Sequence, residues 1–230
     1  MSEVTEKKSP KKKQEKKVKP KSGLYRAVWA ILAAPIRGLT RIHVHGRENE
    51  PQEGDGACLV ICNHLTWRDP IIMCASLRHY QPHFMAKKEL FKIPLLSGLI
   101  RALGAYPVNR GGADVSTIRY TIRLLQDGVP VGMFPQGHRY NGEDPKKTEV
   151  KKGIALIAMR ADVPVLPMYI KVKDNRAKLF CRKDVYIGKP VKVSELGIDL
   201  QCAGAHDLVA RALFDRVCAL GDETADNTSA

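Results

Sequence analysis

The sequence predicts an α/β domain with a largely parallel central sheet flanked by helices. Three observations carry that expectation. Short apolar runs such as 57–62 (Ala57-Cys58-Leu59-Val60-Ile61-Cys62) and 129–134 are bounded by glycine, proline and polar residues, as in strands buried on both faces. Segments of helical periodicity separate these runs, the order expected of parallel strands joined by crossover helices. The chain has 230 residues with 44% hydrophobic content, enough for one such core or at most two small ones.

Taken in order, residues 1–22 hold nine lysines against three glutamates and almost nothing apolar. Such a tail cannot bury a core, so a disordered basic tail is expected. Residues 23–40 are mostly apolar, with Leu24, Val28, Trp29, Ile31, Leu32, Ile36 and Leu39. Only ten residues, 27–36, separate Arg26 from Arg37, whereas crossing a bilayer takes about 20. The segment therefore reads as an interfacial membrane helix, with Tyr25 and Trp29 suited to the headgroup level. A core helix and a secretory signal are the alternatives, the latter opposed by the long basic region and the lack of a small-x-small cleavage site.

The domain proper is expected over 41–220. Residues 41–46 alternate as a strand and place His43 and His45 on one face, where two histidines without a third ligand are ordinary strand residues. Strands are further expected at 57–62, 83–87, 104–110, 129–134 and 164–170, with one or two more in 178–193. Helices are expected at 71–77, 95–103, 114–126 and 148–160, with a closing helix at 205–220. The third of these shows Val115, Ile118, Ile122 and Leu125 on one face and stops at Asp127-Gly128. Turns fall at 88–94 and 135–139, residues 221–230 form a polar tail, and no internal repeat occurs.

A net charge of +14 favours polyanionic partners: an anionic membrane, phosphorylated substrates or nucleic acid. Nucleic acid is the least supported. Aromatics make up 6%, none interleaves with a basic segment, and no zinc-finger spacing or RNA-recognition signature occurs. The six cysteines include no Cys-x-x-Cys pair and mostly sit in apolar runs, so they read as small hydrophobes in a reducing compartment, without disulfide or metal.

The chemistry concentrates in Asn63-His64-Leu65-Thr66-Trp67-Arg68-Asp69-Pro70, between a strand and a helix. A carboxylate held at that turn can orient the imidazole and stabilise its protonated form, making His64 a general base. The alternative is that Asp69 merely caps its helix, with Pro70 at the first helical position. The turns around Arg110 and Arg139 are expected at the same sheet end, where ligands of such folds bind. There they would clamp a phosphate.

Four ordered blocks resemble the glycerolipid acyltransferases of the 1-acylglycerol-3-phosphate type, the lysophosphatidic acid acyltransferases. They are Asn63-His64-x-Thr66-x-x-Asp69, Gly104-x-Tyr106-Pro107-Val108-x-Arg110, Phe134-Pro135-Gln136-Gly137-His138-Arg139 and Val163-Pro164-Val165-x-Pro167. Ala86-Lys87-Lys88-Glu89-Leu90 and Lys151-Lys152-Gly153 also look like family segments. The resemblance runs from about residue 40 to 190. It implies the glycerol-3-phosphate acyltransferase-like fold and acyl transfer from a thioester donor, acyl-CoA or acyl carrier protein, to lysophosphatidic acid, giving phosphatidic acid. His64 would be the base and Asp69 its orienting partner. Arg139, Arg110 and Lys87 would hold the substrate phosphate, and Gly137 would let the backbone approach it. No metal and no cofactor is implied. The setting would be the cytoplasmic face of the cell membrane, with the enzyme bound peripherally or monotopically. Two departures stand out: Gln136 where the family usually has Glu, and His138 where it usually has Thr or Ser. Transfer to another lyso-lipid, or a non-catalytic protein that binds anionic lipid or nucleic acid, are the rival expectations.

Overall fold

The computed structural model describes residues 31, 34–52, 54–78, 81–94, 96–102, 104–108 and 115–222. The tail at 1–22, most of the 23–40 segment, Arg110 and residues 223–230 lie outside these, as do the expectations placed on them. The described strands are β1 (Ile42–His45), β2 (Leu59–Cys62), β3 (His83–Lys87), β4 (Ala105–Val108), β5 (Val131–Met133), β6 (Val165–Lys171) and β7 (Lys183–Ile187). The helices packed on them are α1 (Asp69–Ser76), α2 (Leu96–Ala102), α3 (Val115–Gln126), α4 (Gly153–Ala161) and α5 (Ala205–Asp222). Residues 34–40 are also helical.

The strands form one sheet in the order β1-β7-β6-β2-β5-β3-β4. Every pairing is parallel except β6 with β7. β2 lies at the middle, with Leu59 opposite Val131 of β5 on one side and Val165 of β6 on the other. Its alternate side chains enter two cores. Leu59 and Ile61 pack with Leu124, Ile154, Ile157 and the α5 residues Val209, Leu213, Phe214 and Val217. Cys58, Val60 and Cys62 pack with Ile72 and Met73 of α1 and with Leu166, Met168 and Ile170 of β6. A strand sandwiched this way has no polar face, which is why its sequence is a continuous apolar run. Burying each such Leu or Ile contributes about 1.5–3 kcal/mol.

The elements depart from the expected boundaries where side chains or turns intervene. Residues 148–152 are not helical, and α4 starts only at Gly153. The Lys151 amide is instead bonded to the Pro135 carbonyl, 2.8 Å away, which ties this segment to the turn after β5. The 178–193 region yields β7 plus a single bridge, Val191 to Val165. His45 on β1 bonds Asp184 of β7 at 2.9 Å and stacks on Tyr186.

Candidate active site

β2 ends at Cys62, and the next residue continues its pairing by side chain. The buried Asn63 carboxamide donates to the Ile170 carbonyl at 3.0 Å and accepts from the Ile170 amide at 2.8 Å. This amide pins the start of the 63–68 turn to β6, so the direction in which His64 leaves the sheet is set by a strand a hundred residues away.

His64 and Asp69 meet as expected. His64 Nδ1 lies 2.8 Å from Asp69 Oδ2. The same oxygen accepts from the amides of Leu65 (2.6 Å) and Thr66 (2.7 Å), and Oδ1 accepts from the Thr66 hydroxyl at 2.9 Å. Asp69 is fully buried. A carboxylate taking three other donors is acceptor-only, so His64 Nδ1 is the donor in that pair. Nε2 of the neutral ring is left as the free acceptor. The helix-cap alternative is corrected here: Arg68 is the cap residue and Asp69 the first helical one. Its carboxylate points back into the turn, because two amides and the imidazole there outcompete the helix's own first amides.

The imidazole side chain is 13% exposed and lies flat on Phe134, with ring centroids 4.1 Å apart and planes 17° apart. Phe134 in turn stacks with Phe84, centroids 6.2 Å apart. Gly132 on β5 makes room for Phe84, since a Cβ there would sit 2.3 Å from Phe84 Cε1. From the other side Gln136 braces the turn. Its side chain is 1% exposed, its Oε1 accepts from the His64 amide at 2.6 Å, and its Nε2 donates to Thr148 Oγ1 at 2.7 Å. Thr148 then donates to the Pro145 carbonyl at 2.6 Å. The Tyr140 amide closes the junction by donating to the His64 carbonyl at 2.8 Å. Gln at 136 thus fulfils an acceptor role and a donor role within one buried network.

His64 borders a half-open cavity of about 330 Å³, within the range of small-ligand sites. Its wall is apolar, from Phe84, Met85, Val108, Met133, Phe134 and Ile154, and its lip is polar, from Gly137, His138, Lys151 and Gly153. Gly137 has φ +70, a left-handed conformation that disfavours side chains, and it sits against the Lys151 stem. Hydrogen bonding and charge from Lys151 hold the Glu149 carboxyl below the usual carboxylate range, with His138 adding a smaller effect. Cys62 lies just behind this site. Burial, reinforced by the Asp69 charge, pushes its thiol well above the usual range, so it stays protonated and is no nucleophile.

Of the expected site residues, the fold brings His64, Asp69 and Gly137 together. Arg139 is exposed and directly follows His138 on the lip. Lys87, at the end of β3, is outside the lining; it lies 3.8 Å from Glu89, while its ladder partner Val108 does line the cavity. Arg110 lies outside the described residues. Sequence reasoning did not anticipate the roles of Asn63, Phe134 and Lys151. All three stand in segments that resemble the family, Asn63 and Phe134 at the head of their blocks and Lys151 in the basic pair before Gly153, but the resemblance assigned them no role.

A mostly parallel α/β sheet that sets a histidine–carboxylate pair beside a cavity with a cationic lip has the parts of a group-transfer enzyme. Residues 41–171 match the family model described as Acyltransferase. The chain is 32% identical over 152 residues to the 1-acyl-sn-glycerol-3-phosphate acyltransferase of Bacillus subtilis (strain 168), covering 65% of this chain and 73% of that protein. It is 33% identical over 174 residues to the protein of the same name from Streptococcus pneumoniae, covering 74% of this chain and 62% of that one. The crystal structure of the 1-acyl-sn-glycerophosphate (LPA) acyltransferase of Thermotoga maritima matches with a TM-score of 0.62, covering 86% of this chain and 82% of that one. At 23% identity that likeness is one of fold. The chain belongs to the acyltransferase family, and it is an acyltransferase enzyme rather than a non-catalytic binding protein.

Proposed function

We propose that the protein transfers a fatty acyl group from a thioester donor, acyl-CoA or acyl carrier protein, to the free hydroxyl of 1-acyl-glycerol-3-phosphate, producing phosphatidic acid. The observation that carries this reading is the His64–Asp69 pair, whose free Nε2 belongs to a ring bordering the cavity. Nε2 takes the proton of the acceptor hydroxyl while that oxygen attacks the thioester carbonyl. A C–O bond forms, the tetrahedral intermediate collapses, the C–S bond breaks, and the imidazolium returns its proton to the departing thiolate. Asp69 stabilises the imidazolium throughout. No acyl-enzyme is formed, in keeping with the protonated thiol of Cys62.

Lys151 on the lip, joined by Arg139, Arg110 and Lys87, supplies the charge for the acceptor phosphate, His138 lies beside it, and Gly137 lets it come close to the backbone. The apolar wall takes the start of an acyl chain. Gln136 performs its bracing without a charge, so its departure from the family's usual Glu is compatible with activity. No metal takes part. The basic tail at 1–22 and the 23–40 segment bring the enzyme to the cytoplasmic face of the membrane. Among the described residues no helix is long and apolar enough to cross a bilayer. His138 on the lip favours a second reading, another lyso-lipid headgroup as acceptor.

The test is acyl transfer from a labelled thioester to lysophosphatidic acid and to a panel of other lyso-lipids, by the native protein and His64→Ala in parallel. Turnover with lysophosphatidic acid that is lost in the variant supports the proposal. Turnover confined to another acceptor replaces the substrate, and turnover undiminished in His64→Ala removes the base.

A further inference from the structure

The one antiparallel pairing among the described strands, β6 with β7, has a consequence at the catalytic edge of the sheet. Because β7 runs against β6, its first residues lie beside the last residues of β6, with Asp184 opposite Lys171. β1 is parallel to β7 and starts at the same end, with Ile42 opposite Lys183. The 178–182 turn and the end of the 34–40 helix therefore emerge at the edge where β2 delivers His64.

Three features of that turn call for an occupant. Leu179 and Phe180 are 43% and 58% exposed at its tip, flanked by exposed Lys178 and by exposed Arg182, whose guanidinium also pairs with Asp184 at 2.9 Å. The turn is held in place by a buried cation: Lys183 Nζ donates to the carbonyls of Leu179 (3.0 Å), Cys181 (2.9 Å) and Thr40 (3.2 Å). It also abuts the catalytic segment, where Arg68 donates to the Ala177 carbonyl at 3.2 Å and stands over the ring of Trp67, itself 64% exposed. Leu39, one residue before the Thr40 anchor, is 65% exposed. Exposed Leu90 and Ile93, among Lys88 and Lys92, follow the end of β3, whose Phe84 and Met85 line the cavity.

We propose that the 178–182 turn is a membrane-docking element that inserts Leu179 and Phe180 into an anionic bilayer beside the catalytic edge. The proposal rests on the membrane-associated reading given above but assigns docking to the folded domain, independently of residues 1–40. Apolar tips flanked by basic residues match the apolar interior and anionic headgroups of a lipid surface, and an aromatic tip suits the interface. The tips lie on segments far apart in the chain and none lines the cavity, so they suit a penetrable surface better than a protein ligand. Docked there, the cavity mouth faces the layer from which a lyso-lipid must come.

The test is co-sedimentation of the full chain with vesicles of phosphatidylglycerol and phosphatidylethanolamine, comparing the native protein with Leu179→Ser/Phe180→Ser. Turnover of a short-chain, monomeric acceptor without vesicles is measured alongside. The expected result is vesicle binding weakened by ~10-fold or more, as loss of two inserted side chains predicts, with vesicle-free turnover unchanged. In a second arm, Phe180→Trp shows quenching by brominated lipid beyond that of the native tryptophans, which tests insertion even if the double variant folds poorly. Native-like binding by the double variant, with no added quenching at Trp-substituted 180, overturns the docking turn while leaving attachment through residues 1–40 standing. Failure of the native chain to bind vesicles overturns both. Loss of binding to acyl carrier protein, with vesicle binding intact, would make the turn a protein-docking site instead.

Discussion

Replacing Asp69 by Asn separates the two things its carboxylate does. Oδ2 accepts from His64 Nδ1 and the amides of Leu65 and Thr66, while Oδ1 accepts only from the Thr66 hydroxyl. In Asp69→Asn the amide oxygen takes the Oδ2 position, because the two backbone amides there can only donate. The new NH2 then faces Thr66 Oγ1, whose hydroxyl rotates to accept. All four contacts survive, and the imidazole keeps its orientation and tautomer. What is lost is the negative charge facing the imidazolium. For unit charges about 4 Å apart at an effective dielectric near 20, that attraction is worth about 4 kcal/mol, or roughly three decades in rate. The expected outcome is therefore kcat lower by ~1,000-fold, with the thermal midpoint within a few degrees of native. Asp69→Ala, in contrast, strands the Leu65 and Thr66 amides and the imidazole, and should lose about 3–5 kcal/mol of stability as well. Steady-state acyl transfer with saturating thioester, paired with thermal unfolding, reads both quantities. Asp69→Asn turning over within tenfold of native, with its fold intact, would refute the electrostatic role and leave Asp69 as a pin for the turn.

Other outcomes follow from the same geometry. Gln136→Leu leaves the His64 amide without its acceptor, so a loss of about 2 kcal/mol and a lower kcat at similar KM are expected; unchanged kcat would show that the brace is irrelevant to the base. Gln136→Glu keeps that acceptor but draws the Thr148 hydroxyl from Pro145 and buries a charge, so the thermal midpoint should fall while activity persists; a gain in stability would contradict the network as drawn. Gly132→Ala places a Cβ 2.3 Å from Phe84, and displacement of the Phe84–Phe134 stack beneath His64 should appear as reduced kcat and a midpoint lower by several degrees. Lys151→Ala should raise KM for a phosphorylated acceptor ~10-fold while leaving KM for the thioester nearly unchanged; equal effects on both would move Lys151 to the donor side.

Much of this protein could be read along the chain. The apolar run ending at Cys62 and the helix after Pro70 were legible because burial on both faces and helical periodicity write themselves into composition. The His64–Asp69 pair was legible because a turn only four residues long, 65–68, can bring the two side chains into reach. Even there the chain left the direction of the Asp69 carboxylate open, since the amides ahead of it and behind it compete on nearly equal terms. Sheet order was not legible. Apolar strands look alike, and nothing local says that β5 lies between β2 and β3 or that β7 runs backwards. Yet that order alone sets Phe134 under the imidazole, Gln136 on its backbone, Asn63 on β6 and the 178–182 turn at the catalytic edge. Short-range pairs are determined by chain connectivity, so the sequence suffices for them. Contacts made across the sheet depend on which buried faces pack together best over the whole domain, and only the tertiary structure decides that.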